Sequence, residues 1–178
     1  MEIDFGYKEW AGVIDAMNSG SQTVMVRSYK PRQNFLLYPT FSYKGAGGRQ
    51  FQSKYQSLAH DSATRIAKLS REQGLVEVFN YASVDTVCEV SKDQWAELQP
   101  FFIWSKEHIE SYIQGRQHST VLLWLIRVYR FDTPIIFQTG GAVATFRPPE
   151  PMQITIPQSV LSDEQFQSIK TQILRVLK

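Results

Sequence analysis

Apolar residues recur along the chain at helical and strand spacings in turn, which predicts the element order α-β-β-α-β-α-α-β-β-α. Tyr7, Trp10 and Ile14 fall on one helical face, so we expect a first helix over residues 6–17. Strands joined by turns or by helical excursions are typical of α+β proteins. The pattern therefore predicts an α+β fold with a small antiparallel or mixed sheet and flanking helices.

Two short apolar runs follow the first helix. Residues 23–26 and 35–38 have the aliphatic, β-branched and aromatic composition that favours strands. Pro31 and Asn34 interrupt the chain between them, so we expect a hairpin with an irregular loop. Pro39 is expected to end the second strand.

Loop, helix and strand signals alternate in the middle of the chain. The glycines of residues 44–49 indicate a turning loop that lacks the spacing of a phosphate-binding P-loop. Residues 51–72 have a helical pattern, and Gly74 is suited to end that helix. Residues 75–90 form the longest β-rich run, with a bend expected near Ala82.

The following segment predicts two helices and two strands. Residues 91–99 have the pattern of a short helix, and a further helix is expected to begin at Ser105. Residues 121–131 and 135–137 predict two strands, with residues 132–134 as the turn between them.

The end of the chain combines a connector with a capped helix. Residues 147–157 contain four prolines and predict an extended connector. Ser162 and Gln165 have the spacing of a capping box, and the helix that follows has an apolar stripe expected to dock on the core. We therefore expect one globular domain over residues 1–178.

The net charge of +2 conceals an uneven distribution of charged residues. Residues 27–71 contain nine basic side chains and one acidic side chain, and aromatic residues are interleaved with them. Lysine and arginine neutralise phosphates, and aromatic rings stack on unpaired bases. This segment therefore predicts a nucleic-acid-binding surface, with DNA or RNA as the partner.

Recognisable motifs for catalysis or metal binding are missing from the sequence. None of the nine lysines has an acidic residue two positions earlier, so the E-x-K or D-x-K pair of restriction-endonuclease-like nucleases is absent. With three histidines and one cysteine, we predict no catalytic residue, no metal site and no cofactor. An atypical metal-dependent enzyme of nucleic-acid metabolism remains an alternative, with Asp85, Glu89 and His60 as its ligands or acid-base groups.

Three blocks resemble an uncharacterised family of cyanobacterial type, domain of unknown function 1802. They are the early Trp10, the segment Leu36–Thr40 and the late strand Leu125–Arg130. Ile103-Trp104-Ser105 is similar to the mid-chain tryptophan element of that family. The resemblance covers most of the chain up to Phe146 and implies no established activity.

A second resemblance concerns architecture. A helix followed by Gly20–Thr23 and the strand Val24–Arg27 is similar to the opening of PUA-like domains, including the ASCH and EVE groups. This resemblance implies a small β-barrel that binds RNA or reads modified bases. The PUA-like arrangement is our preferred fold, and a restriction-endonuclease-like α/β core is the alternative.

A non-catalytic nucleic-acid-binding module is the function that these features favour. Arg127 and Arg130 lie three residues apart on one predicted strand and so face opposite sides, which leaves one for a binding cleft and one for a structural ion pair. A protein-interaction or scaffold domain, such as a homodimer, is a further alternative. The expected nucleic-acid contacts are Arg27, Lys30, Arg32, Tyr38, Phe41, Tyr43, Lys44, Arg49, Arg127 and Arg130.

Membrane association is not expected from the sequence. No segment approaches the roughly 20 apolar residues that cross a bilayer, and the N-terminus has no apolar signal run. A single cysteine excludes an internal disulfide. We therefore expect a cytoplasmic protein without a membrane partner.

Overall fold

The computed structural model of the chain describes residues 1–40, 50–115, 121–139, 144–154 and 158–178. Its strands are β1 (Glu2–Ile3), β2 (Gly6–Trp10), β3 (Val24–Arg27), β4 (Asn34–Thr40), β5 (Leu75–Glu89), β6 (Leu122–Gln138), β7 (Thr145–Phe146), β8 (Met152–Gln153) and β9 (Gln158–Ser159). Its α-helices are α1 (Ala11–Asn18), α2 (Gln56–Gln73), α3 (Trp95–Leu98), α4 (Lys106–Gln114) and α5 (Asp163–Val176). Short 3-10 turns precede α2 at Ser53–Tyr55 and flank α3 at Lys92–Gln94 and Gln99–Phe101.

The main sheet is mixed, with the strand order β3-β6-β5-β4-β2-β7 and with β9 attached to β6. Among the described strands, only β2 and β4 pair in parallel, and the other pairs are antiparallel. Since β3 and β7 form its two ends, the sheet is open over the described residues. The expected α+β fold with a mixed sheet and flanking helices is confirmed.

The longest pairing in the sheet joins β5 to β6. Asn80 lies opposite Arg130 but Val78 lies opposite Ile135, so residues 131–134 form an irregularity inside one long strand. The predicted turn at residues 132–134 is therefore wrong, because the chain continues in the same direction. A bulge of this kind tolerates a proline, which cannot donate a ladder hydrogen bond.

The predicted first helix is wrong over its first half. Gly6–Trp10 form β2 and pair in parallel with Leu36–Thr40 of β4, and α1 begins only at Ala11. Close approach of the two strands favours glycine at position 6, where a Cβ atom would lie 3.1 Å from both the Cβ atom and the carbonyl oxygen of Leu36. Pairing with a distant strand has overridden the local helical pattern.

The predicted hairpin is also wrong, because β3 and β4 do not pair with each other. β3 pairs with β6, whereas β4 lies between β5 and β2. Pro39 does not end β4, which extends to Thr40. The pairing of β5 with β4 stops at Leu36. The missing N–H of Pro39 therefore costs no hydrogen bond to β5.

Local capping chemistry ends or begins three helices where it was predicted. Gly74 ends α2 with the left-handed φ of 64°. The Ser105 hydroxyl accepts a hydrogen bond from the backbone N–H of His108 at the start of α4. Ser162 and Gln165 form the expected capping box of α5. Among the described residues, no helix is both long and apolar enough to cross a membrane.

Two apolar clusters cover the two faces of the sheet. Phe35 and Leu37 of β4 belong to the larger cluster, and Leu36 and Tyr38 belong to the smaller one. Successive strand residues face opposite sides, which places the clusters on opposite faces. Phe166 of α5 is buried in the larger cluster, so the C-terminal helix packs on the core as expected.

Candidate nucleic-acid interface

Alternate side chains of β2 contact the segment that follows β3. Tyr7 and Glu9 lie two residues apart on β2 and so face the same side. Arg27, at the end of β3, donates from Nη2 to Glu9 Oε2 at 2.7 Å. Two residues further along, the Tyr29 ring centroid lies 5.9 Å from that of Tyr7. The two chain segments therefore run side by side.

The contacts extend to Arg32. Its guanidinium carbon lies 4.3 Å from the centroid of the Phe5 ring, and its backbone N–H donates to the Tyr7 hydroxyl at 3.2 Å. We call residues 27–32 the 27–32 strip. Three of the predicted phosphate contacts lie on it: Arg27, Lys30 and Arg32.

One end of the 27–32 strip is electrically neutral. The side chains of Glu9 and Arg27 are only 6% and 16% exposed. Glu9 Oε1 also accepts the backbone N–H of Trp10, and Arg27 Nη1 donates to the carbonyl of Val26. Burial by itself would lower the pKa of Arg27, but the charge and hydrogen bond of Glu9 raise it above its usual value. Arg27 therefore stays charged and compensated.

The other end of the 27–32 strip keeps an excess of positive charge. Arg32 and Arg147, 45% and 67% exposed, approach the same carboxylate of Asp4 at 3.2 and 3.9 Å. Arg147 also lies 5.9 Å from the Phe5 ring that Arg32 covers. Lys30, two residues before Arg32 in the sequence, is also exposed. Because two guanidinium groups share one carboxylate, this end can attract phosphates.

A stack of three rings lies beside the neutral end. The Trp104 ring stacks on Phe51 at 4.8 Å and on His108 at 4.6 Å between centroids. Trp10, the residue after Glu9, lies edge-on to Trp104 at 4.7 Å. Burial lowers the pKa of His108, and the nearby charge of Glu9 opposes that shift. A largely neutral imidazole therefore completes the stack near pH 7.

Tyr38, which the sequence predicts as a nucleic-acid contact, does not lie on an open surface. It is only 2% exposed, belongs to the smaller apolar cluster and packs its ring 4.8 Å from Phe146. A nucleobase has no access to a ring buried in this way. Four other predicted contacts lie outside the described residues: Phe41, Tyr43, Lys44 and Arg49.

Arg127 and Arg130 both have structural partners. Arg127 donates to Asp163 at 2.5 Å and covers the ring of Phe166 at 5.0 Å, so it has the structural ion pair expected for one of the two. Arg130 donates from Nε to the side-chain oxygen of Asn18, and from Nη2 to its carbonyl, each at 2.8 Å. The two arginines tie α5 and the end of α1 to β6.

The carboxylates of the alternative enzyme do not form a ligand group in the described part of the chain. Asp85 pairs with Lys170 at 2.6 Å and accepts from the Thr86 hydroxyl. Burial would raise the pKa of Asp85, but these hydrogen bonds and the charge of Lys170 bring it below its usual value. Within the described ranges, no three histidine, cysteine, aspartate or glutamate side chains are grouped to hold a metal ion.

The scaffold alternative requires a contiguous apolar patch on the surface. The large exposed apolar side chains of the described residues are Met1, Tyr29, Val87 and Ile136. They come from the N-terminus, the 27–32 strip, β5 and β6, and a homodimer or scaffold role stays a prediction.

Sequence reasoning missed the buried residues that contact the 27–32 strip, Phe5, Tyr7 and Glu9, and it missed Arg147 at the charged end. The alternation of Phe5, Tyr7 and Glu9 is a period-two signal, but the helical spacing that begins at Tyr7 obscured it. Arg147 lies in the segment predicted as a plain connector. Its contact with Asp4 joins residues too distant for any local pattern to connect.

The family is decided by a match over nearly the whole chain. The family model of DUF1802, a domain of unknown function, matches residues 6–172. The chain belongs to the DUF1802 family. The resemblance noted at Trp10, Leu36–Thr40 and Leu125–Arg130 is thereby confirmed. No curated protein sequence matches this DUF1802 chain.

Solved structures similar to the DUF1802 chain include ASCH from Zymomonas mobilis and mutant forms of it. ASCH shares 13% identity, with 96% of this chain and 93% of that chain covered and a TM-score of 0.44. One mutant form shares 11% identity, with 96% of each chain covered and a TM-score of 0.45. They belong to the ASCH group named above.

Proposed function

We propose that this chain is a nucleic-acid-binding module whose phosphate contacts lie at the charged end of the 27–32 strip. Lys30, Arg32 and Arg147 supply the positive charge, and Tyr29, which is 37% exposed, supplies an aromatic face between the two ends. This proposal keeps the predicted function and moves its centre to residues that the fold brings together.

The series of contacts between Phe5–Glu9 and residues 27–32 carries the proposal. It holds the 27–32 strip against Phe5, Tyr7 and Glu9, so that basic and aromatic side chains follow one another along the strip. Exposed Lys and Arg side chains attract phosphates, and their binding releases counterions from the nucleic acid. A surface with positive charge at one end and aromatic rings at the other suits a nucleic acid, whose phosphates are charged and whose bases are not.

Arg27 has a different role from the one expected of it. Its charge is compensated by Glu9 within the protein, so it contributes little to counterion release. Reversing its charge would place two buried carboxylates together and would perturb folding. The test of phosphate binding therefore uses the exposed cations.

Fluorescence anisotropy with short single- and double-stranded DNA and RNA at several salt concentrations tests the proposal. We expect affinity to fall steeply with salt, with a log–log slope of about −0.7 to −0.9 for each phosphate contact. Arg32→Glu and Arg147→Glu should each weaken binding and make the slope shallower by about one contact.

Lys68→Glu is the matched control, because it reverses an exposed charge on α2, a helix that packs on α1. The control should retain the affinity and the slope of the original chain. An absence of binding to all four nucleic acids at low salt would refute the proposal. Equal losses for the control, Arg32→Glu and Arg147→Glu would refute the assignment of the phosphate contacts to the charged end of the strip.

A further inference from the structure

We propose that the nucleic acid is bound as a single strand, with one unpaired base stacked on the ring of His108. This inference rests on the proposed function and names its ligand class. It starts from the three-ring stack of Phe51, Trp104 and His108, which adjoins the neutral end of the 27–32 strip.

The stack has a closed inner end and a more open outer end. Phe51 and Trp104 are only 2% and 8% exposed, and their rings are nearly parallel at 13°. His108 follows at 28° to Trp104 and is half-buried. A flat ring can therefore extend the stack at His108 and cannot do so at Phe51. Nucleobases stack on aromatic side chains in this way regardless of sequence.

Trp10 packs against the side of the three-ring stack. Its ring lies 5.5 Å from that of His108 at an angle of 46°, and it is half-buried. Edge-to-face contact with Trp104 fixes its orientation. Because its centroid is nearer to Trp104 than to Phe51 or His108, Trp10 supports the stack from beside its middle ring.

Charge separates the base from the phosphates. The Glu9–Arg27 pair beside Trp10 is neutral as a unit, so this end offers no net attraction to a phosphate. The excess of positive charge lies near Phe5, four residues of extended chain and about 13 Å away. A strand laid along the strip would place its backbone on the arginines and a base on the stack.

Base pairing conflicts with this arrangement. Bases inside a duplex have both faces covered by their neighbours, so only an unpaired or extruded base offers a free face. The geometry therefore favours a single strand over a duplex.

Three fluorescent probes of equal length test this inference. They are made of DNA or RNA, whichever binds more tightly in the first assay. They are a single-stranded oligothymidylate, its duplex with oligoadenylate, and an abasic single strand with the same phosphates. We expect the oligothymidylate to bind roughly five- to 150-fold more tightly than the abasic strand, the range for stacking of one base. It should also bind more tightly than the duplex.

Variants of His108 assign this preference to the ring stack. His108→Ala should lower the ratio of oligothymidylate to abasic affinity roughly five-fold or more without changing the salt slope, because phosphate contacts remain. His108→Phe should retain the ratio, since it keeps an aromatic face. His60→Ala on the exposed face of α2 is the matched control and should leave the ratio unchanged.

The two levels of the proposal fail differently. Two results would refute the stacked base and leave the phosphate contacts in place. The first is salt-dependent binding with equal affinity for the oligothymidylate and the abasic strand. The second is a ratio of these two affinities that His108→Ala does not change. Absence of salt-dependent binding to every probe refutes both levels.

Discussion

The buried pair Glu9 and Arg27 determines the character of the surface at the scale of single residues. Taking either charge out of water is unfavourable, and their hydrogen-bonded contact at 2.7 Å offsets that cost. Glu9 also accepts the N–H of Trp10, so the carboxylate links the end of β3 to the start of α1. The pair therefore serves the fold first and neutralises one end of the strip as a consequence.

Glu9→Leu should lower the free energy of unfolding by about 3–5 kcal/mol, because Arg27 is left as an unpaired charge. The 16% exposure of Arg27 places the effect near the lower limit. Adding Arg27→Met should recover most of the loss, since both charges are then removed. Urea unfolding followed by tryptophan fluorescence measures all three proteins. A double variant as unstable as Glu9→Leu would contradict this account.

The second prediction at this scale concerns the pH dependence that His108 contributes. Burial lowers its pKa in the folded state, whereas the unfolded value is about 6.5. The unfolded chain therefore binds the proton more readily, and the contribution to stability is present above about pH 6.5 and lost as pH falls below it.

Urea midpoints measured between about pH 7.5 and pH 5 should show this loss in the original chain and a smaller one in His108→Phe. The loss is limited to about 1.4 kcal/mol for each unit by which the two pKa values differ. His60→Phe is the control and should keep the pH dependence of the original chain. Identical profiles for His108→Phe and the original chain would argue against burial of the imidazole.

At the scale of elements, the ends of helices are fixed by side chains from other elements as well as by caps. Arg130 of β6 donates to both the side-chain and the backbone oxygen of Asn18, the last residue of α1. A cation near helix C-terminal carbonyls is favourable, because those carbonyls lack partners within the helix. The sequence placed Arg130 in a binding surface, but its contacts are those of a helix anchor.

Arg130→Ala should therefore lower stability by about 1 kcal/mol. It should leave the salt slope of nucleic-acid binding unchanged, in contrast to Arg147→Glu. Thermal unfolding and the anisotropy titration together check both effects. A shallower salt slope for Arg130→Ala would return Arg130 to the interface.

At the scale of the whole molecule, α5 shares the larger apolar cluster with α1 and β6. Phe166 and Ile173 of α5 are each 1% exposed, and they belong to the cluster that contains Val13 and Trp124. A common core favours cooperative unfolding of the chain as a unit. The single domain over residues 1–178 stays a prediction that unfolding experiments can test.

Phe166→Ala should lower the free energy of unfolding by about 3–5 kcal/mol, because it removes a large buried ring. Far-UV circular dichroism and tryptophan fluorescence should still give coincident transitions, although all four tryptophans lie outside α5. Gln167→Ala, exposed on the same helix, is the control and should change stability little. A dichroism transition that precedes the fluorescence transition would indicate that α5 unfolds separately.

Local chemistry made several features of this chain predictable. Gly74, Ser105 and Ser162 mark helix ends because their conformations and hydrogen bonds involve residues within one turn. The long β5 strand was visible because its β-branched and aromatic residues suit an extended chain over residues 75–89. The basic and aromatic composition that pointed to nucleic acid is likewise a property of residues 27–71 alone.

The arrangement of these residues was settled only by contacts between distant parts of the chain. β2 is a strand because β4 lies beside it, and Arg27 is a buried ion pair because Glu9, 18 residues away in sequence, faces it. Tyr38 entered the core for the same reason, since its face of β4 is covered by another apolar cluster. The sequence by itself determined the α+β class, the helix ends and a basic aromatic segment. The tertiary structure decided which of those charges stay in water, because burial and pairing depend on neighbours that no local pattern specifies.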